Sequence, residues 1–365
     1  MACMKSEKAF PFLLCLFIFL CSRVAIYSFA YLINEYAHLG LAPQSWFVHW
    51  DSGWYLNIAA QGYNTSPIVT LTQTFNYPFF PLYPMLIKGA SFISPFSSMA
   101  NGQMMSQFFF LLSLILFYFL LKQYFNQKIS LYGLILLAFS PFNIYFSSVY
   151  TESLYLFLSL SAWLSMLKKK WLLVGLFGFF LALTRPTGII LLLPALLAVF
   201  EDFKQGRYFQ IRYLYLALIP FGLILYMAYL GHHMGDPLAF MHAEHAWGRN
   251  NYRNIQGWLI LLHYSFFIRP IDALFFLLSI FLFVKLWIEH YIKEALFFFT
   301  PLLLCIDSAS FTSIARYASC TFIFYFALIL ISRKSTLKQV TFICISATLL
   351  PIYILCWLSN TPHFN

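Results

Sequence analysis

The sequence predicts an all-α, polytopic integral membrane protein, and three observations carry that prediction. Of its 365 residues, 61% are hydrophobic and only 9% are charged, against roughly a quarter charged in soluble domains. Many apolar runs approach the ~20 residues that a spanning helix needs. The runs are continuous rather than alternating, which excludes a closed β-barrel. No aqueous fold hides this much apolar surface, so the solvent is a bilayer. Residues 1–365 then form one membrane domain, with no room for a sizeable soluble one.

The formal net charge of +10 does not point to nucleic acid. The basic residues are spread over short loops and form no cluster interleaved with an aromatic platform, so they read as orientation signals. The seven cysteines show neither a disulfide pattern nor a CxxC or Cys/His metal spacing. Lys5 and Lys8 precede an apolar run over 9–33 that lacks a small-residue cleavage site, so this is an uncleaved anchor.

The elements follow in order. The first span covers 9–33. Residues 34–102 form the first outer loop, because no Lys or Arg occurs between Arg23 and Lys88. Within it, 50–60 reads as a helix lying on the membrane surface. Tyr55, Ile58 and Ala59 recur there at helical spacing, and Gly62 ends the helix. Pro78, Pro81 and Pro84 break any helix and make a stiff aromatic turn, and 84–96 is a second interfacial helix.

Spans follow at 103–121 and 131–146. An outer turn at 147–152 leads into a fourth span, which ends at Lys168, Lys169 and Lys170. A tight hairpin of 171–184 and 186–200 is broken at Arg185 and Pro186. A charged inner loop over 201–212 precedes the span 213–230. A polar segment over 231–256 and an interfacial stretch over 258–267 come next. The remaining spans run from Pro270 to about 285, 295–306, 316–331 and 340–358. This gives about eleven spans, with the N-terminus in the cytoplasm and the C-terminus outside.

Of the 22 Lys and Arg, only Arg23, Lys88, Arg185, Arg249, Arg253, Arg269 and Arg316 lie away from the inner loops. All but Arg23 fall on the outer side. Basic groups held there against the charge bias suggest a task, binding an anionic headgroup, although a single long side chain also snorkels to a surface without one.

Asp51 stands out among the acids. It lies between Trp50 and Ser52 in a partly desolvated setting, which suits a general base. Read without function, it is a surface carboxylate or the cap of the helix beside it. Glu152 is the second outer acid, at a helix start where negative charge is favoured in any case. In MHAEHAWGRN, His242, Glu244 and His245 have the look of metal ligands. No third ligand is evident, so we read them as substrate contacts rather than a metal site.

HWDSGWYLNIAAQGY followed by FFPLYP resembles the first-loop signature of the PIG-V family of mannosyltransferases, multispanning enzymes of the GT-C class. SPFNIYFSSVYTESLYLFLSLSAW resembles that family's second block, ALTRPTGII its Arg-containing hairpin and SIARY its late Arg-Tyr block. The blocks run in family order from about Val48 to Tyr317. The resemblance implies a GT-C-like fold and an inverting transfer of a sugar, mannose by family likeness, from a polyprenyl-phosphate carrier to a lipid or glycan acceptor.

By the same resemblance Asp51 is the general base, and Glu152 positions the sugar or acceptor. Arg185 and Arg316, with Lys88 or Arg249, meet the charge of the departing phosphate. His49, Tyr150 and His245 contact substrate, and Trp50, Trp54 and Tyr55 stack on sugar faces. An interfacial belt is the commoner use of such aromatics. No cofactor is expected beyond the polyprenyl-phosphate sugar donor. A divalent metal is compatible with this chemistry, but no ligand set indicates one. The minimal loops favour a bacterial plasma membrane over the endoplasmic reticulum. A secondary transporter is the alternative. It would show broken polar helices near mid-bilayer and a repeat between halves, whereas no internal repeat is found and the polar residues gather outside. A non-catalytic assembly subunit would need no aligned acids and arginines.

Overall fold

A computed structural model describes residues 2–64, 74–247, 270–308 and 313–361. It is helical, with no strand among the described residues. Helix α1 is Ala2–Tyr36. After a 3-10 turn at Pro43–Ser45 come α2, Asp51–Gln61, α3, Leu82–Ile93, and α4, Ser98–Tyr124. Then follow α5, Gln127–Ala138, α6, Asn143–Ser147, α7, Glu152–Leu167, and α8, Trp171–Thr184.

A 3-10 turn at Pro186–Leu191 opens α9, Leu192–Lys204. Another at Ile211–Ala217 opens α10, Leu218–Met234. The chain continues through α11, Ala239–His242, α12, Pro270–Ile288, and α13, Ile292–Ser308. It closes with α14, Ile314–Ser319, α15, Phe322–Ser332, and α16, Thr336–Leu358.

Six helical stretches are long and apolar enough to cross a membrane: Pro11–Tyr36, Ser98–Tyr124, Pro186–Lys204, Ile211–Met234, Ile271–Ile288 and Thr336–Leu358. Shorter apolar helices fill much of the space between them. Length and composition therefore assign six spans among the described residues, where the sequence predicts eleven.

Several predicted elements are corrected in detail. The span expected over 131–146 is divided into α5 and α6 at Pro141. Proline lacks the N–H a helix interior needs and disfavours helix at the residue before it. The helix expected to begin at Pro84 begins at Leu82. Pro84 is only its third residue, where the N–H has no helical partner to lose. The span expected over 316–331 starts at Ile314 and breaks between α14 and α15. Ser319, Cys320 and Thr321 there bond back to the carbonyls of Arg316, Tyr317 and Ala318 and compete with the helical ladder. The stretch 258–267 lies outside the described residues.

Helix α7 is the centre, with α4 along one side and α8 along another, and α8 in turn carries α10. Nearly all of α7 is buried, serines included. Ser159, Ser161 and Ser165 survive there because each hydroxyl donates to a carbonyl three or four residues back.

The two ends of the bundle differ. At one, charged side chains tie short connections together: Asp202 holds Lys169 and Arg207, Lys293 reaches Glu201, and Glu289 joins Lys285 and Arg333. At the other gather α2, α3, the turn 148–151, the Arg185 link, the start of α14 and the last turn of α16. Arg23 in α1 is buried between the ends. It donates to Gln107 Oε1 (2.9 Å), Ser147 Oγ (2.8 Å) and Asn143 Oδ1 (2.5 Å). In doing so it fastens α6, whose continuation is the turn before Glu152.

Candidate active site

The site is built from four segments far apart in sequence. Asp51 is the first residue of α2. Trp50, not Asp51, occupies the cap position, and it does so with φ +45° and ψ −110°, an outlying conformation for a bulky residue. One side chain straddles this kink. The Tyr150 hydroxyl accepts from the Asp51 N–H (3.3 Å) and donates to the His49 carbonyl (3.4 Å). Burial pushes the Tyr150 phenol well above its usual pKa, so it stays a protonated hydroxyl.

Glu152 is the first residue of α7 and is only 1% exposed. Arg185 reaches it from the far end of α8, where Pro186 ends the helix. Gly188 lets the following turn lie against α8, since a Cβ there would fall 2.4 Å from the Leu181 carbonyl. Arg316 comes from α14. These four residues form a charge-balanced chain. Asp51 Oδ2 accepts from Arg316 Nη1 at 2.6 Å. Arg316 Nε lies 3.5 Å from Glu152 Oε1, and that same oxygen accepts from Arg185 Nη2. Arg185 Nε also donates to Thr151 Oγ1 at 2.7 Å.

Aromatic faces wall the site. The Arg316 guanidinium lies over Tyr150 (5.3 Å) and Tyr317 (5.2 Å), and that of Arg185 over Tyr155 and Tyr317. Tyr55 meets Thr151 Oγ1 at 3.4 Å, and burial raises its pKa as well. His49 packs its ring against Trp357, and desolvation lowers its pKa, which leaves the imidazole neutral near pH 7. Buried polar atoms here lack hydrogen-bond partners, among them His49 Nε2, Ser52 Oγ, Glu152 Oε2 and Arg316 Nε. Such atoms are rare in folded proteins and are what a polar ligand would satisfy.

The structure brings together Asp51, Glu152, Arg185, Arg316, Tyr150, Tyr55, His49 and Trp50. Trp54 is one turn along α2, stacked on Phe79. Lys88 is not brought in. It lies on the exposed side of α3, with Tyr83 and Ile87 turned to the core, because helical periodicity sends it the other way. Arg249, Arg253, Arg269 and the side chain of His245 lie outside the described residues. His242 is exposed and sits 2.7 Å from Asp236 Oδ2. Among the described residues no three His, Cys, Asp or Glu side chains gather as metal ligands.

Three neighbours escaped the sequence reading. Thr151 and Tyr317 stand next to residues it singled out, and adjacency was the available signal. Trp357, 1% exposed, packs on Trp50 and Tyr150 and donates to the Trp46 carbonyl. Nothing in the last span marks it.

The molecule is thus a helical membrane protein with paired carboxylates and guanidinium groups at one end of its bundle. The chain belongs to the mannosyltransferase (PIG-V) family, whose profile matches residues 15–230. That range is more than half of the chain and includes Asp51, Glu152 and Arg185, while Arg316 lies beyond it. Comparison with curated proteins returns no match. Among solved structures, the chain is similar to an Archaeoglobus fulgidus oligosaccharyltransferase in its apo form, with 12% identity and a TM-score of 0.45 over 93% of this chain and 55% of that one. The same enzyme in complex with zinc and sulfate is similar at 12% identity and a TM-score of 0.45, over 86% of this chain and 48% of that one. The chain therefore spans about half the length of those structures.

Proposed function

We propose that this protein is a membrane glycosyltransferase that moves a sugar, mannose by family, from a polyprenyl-phosphate carrier to an acceptor hydroxyl. The transfer is a single inverting displacement with Asp51 as general base. The acceptor oxygen forms its bond to the anomeric carbon while its proton passes to the Asp51 carboxylate, and the bond from that carbon to the phosphate oxygen breaks. Polyprenyl phosphate leaves with added negative charge, which Arg316 and Arg185 meet.

The observation that carries this reading is the Asp51–Arg316 contact. It sets the base within one hydrogen bond of a cation able to hold a phosphate. Without donor, Arg316 holds the Asp51 carboxylate in place. A phosphate offers the guanidinium a second anion, and the carboxylate is released to accept a proton. Glu152, fixed by Arg185, keeps Oε2 for a sugar hydroxyl. The site faces away from the cytosol, as the charge distribution of the loops implies, and the membrane is a bacterial plasma membrane.

The test is Asp51→Asn, which preserves shape and removes the base. The purified variant, given polyprenyl-phosphate mannose and a membrane extract, should form product about 10²–10⁴-fold more slowly, read by mass spectrometry. Transfer at the native rate would overturn Asp51's role.

A further inference from the structure

A groove of about 370 Å³ opens at the N-terminal end of α2, on the side of the helix that faces away from the core. Trp50, Gly53, Trp54 and Asn57 line it, with Asn64 and Thr74. Gly53 and Trp54 lie four and three residues before Asn57, so these three α2 positions share one face, with the cap residue Trp50 next to them. Ser52, Tyr55, Ile58 and Ala59 are buried on the other.

Gly53 is the informative residue. It sits in the first turn of α2, where glycine is less favourable than alanine. Its backbone needs no glycine, since it is not among the positive-φ positions. Nor does packing need one, since an added Cβ would meet no atom within 4 Å. A bare Cα at that place leaves the groove floor open between two indoles, two residues along the chain from Asp51. Close approach of a ligand to backbone is what remains to explain it.

The amides beside it are held in place. Asn76, 1% exposed, donates through Nδ2 to Asn57 Oδ1 (3.4 Å) and to the Gly62 carbonyl (3.1 Å). Its Oδ1 accepts from the Asn64 N–H at 3.0 Å, and its own N–H donates to Asn64 Oδ1 at 3.3 Å. Trp54 is backed by Phe79 (5.6 Å, 14°) and Trp50 by Trp357 (4.7 Å, 79°). Rigid indoles with fixed amides suit a pyranose, whose C–H face is apolar and whose rim is hydroxyl. No cation is among the described residues that line the groove, which disfavours a phosphate, and an isoprenoid chain would offer its amides no hydrogen bond.

We propose that this groove is a saccharide subsite that receives the sugar of the acceptor, with Gly53 setting its depth. The word acceptor rests on the transferase reading, whereas saccharide binding does not. The experiment uses the full chain in lipid nanodiscs, with hexyl α-mannoside and hexyl β-glucoside as probes and hexanol as the apolar control. Binding is read by tryptophan fluorescence, and acceptor KM by transfer from polyprenyl-phosphate mannose.

A hexyl glycoside should bind the native chain more tightly than hexanol does. Gly53→Leu should weaken that binding, and raise acceptor KM, by about tenfold or more, with an unfolding midpoint no lower than native. If Gly53→Leu does lower the midpoint, Asn64→Ala on the exposed rim replaces it, with an expected loss of about threefold. Equal affinity in the variant, or hexanol binding as tightly as the glycosides, overturns the subsite. Gly53-sensitive glycoside binding without any sugar transfer supports the subsite and sinks the transferase reading. Transfer whose acceptor KM ignores Gly53→Leu sinks the subsite and leaves that reading standing.

Discussion

Arg316 and Arg23 are buried to nearly the same degree, 7% and 8% exposed, and are held in opposite ways. Arg316 faces carboxylates, Asp51 at 2.6 Å and Glu152 at 3.5 Å. Arg23 has neutral acceptors only, Ser22, Gln107, Ser147 and Asn143, with the Phe110 ring 4.8 Å beneath its guanidinium. A cation in a low-dielectric interior is tolerable when it is paired or its donors are used; Arg316 takes the first route, with its Nε left without a hydrogen bond, and Arg23 the second. They differ in what can happen next. A guanidinium paired with carboxylates can trade one anion for another as a ligand arrives. A guanidinium wrapped in amide and hydroxyl oxygens has no anion to exchange, so it acts as a pin. Arg23 pins α6, and α6 sets the start of the turn that presents Tyr150, Thr151 and Glu152.

The contrast can be broken by mutation, and the largest effect lies in the charged chain. Glu152→Gln leaves Arg185 and Arg316 sharing one carboxylate in a buried setting and should destabilise the protein by about 3–5 kcal/mol. Arg185→Gln should do the same. The double variant should lose clearly less than the sum, because the charge that remains is again balanced. Chemical unfolding in detergent measures all three, and additive losses would mean that the two side chains are not coupled.

A smaller loss is expected at the pin. Arg23→Gln retains some donors but cannot reach all four acceptors, and an unsatisfied buried acceptor costs roughly 1–3 kcal/mol. Transfer by this variant should fall through kcat with donor KM little changed, because Arg23 holds α6 rather than the substrate. A rise in donor KM alone would show that Arg23 is not a positioning residue.

The smallest effect concerns pH. Burial lowers the His49 pKa, so the unfolded chain takes up a proton at a higher pH than the folded one. The stability His49 contributes is present above the usual histidine range and is lost as pH falls through its folded value. The unfolding midpoint, followed downward from pH 7.5, should decline less in His49→Phe than in the native chain. An identical decline in both would remove His49 as a cause.

How much of this was legible beforehand differs from residue to residue. Asp51 and Glu152 could be found because a charged residue beside a long apolar run has few reasons to be there. The inward face of α2 was also legible, since Tyr55, Ile58 and Ala59 repeat at helical spacing and Gly62 takes φ +82° at its end. Lys88 shows the limit. Its charge and side of the membrane suggested the site, yet one step of helical phase turns it outward. Trp357 and Arg23 show the same limit from the other side. Their partners are 311 and up to 124 residues distant in sequence, and no local pattern announces a meeting across that separation.

By itself, then, the sequence determined the solvent, the helices and the outlying charges. Those follow from hydrophobic transfer and backbone hydrogen bonding, both of which act within a single segment. Only the tertiary structure decided which arginine faces which acid, that one tyrosine hydroxyl spans the kink at Trp50, and that Gly53 opens onto a groove. Those outcomes depend on the relative phase and depth of helices remote in the chain, which packing sets and no segment encodes alone.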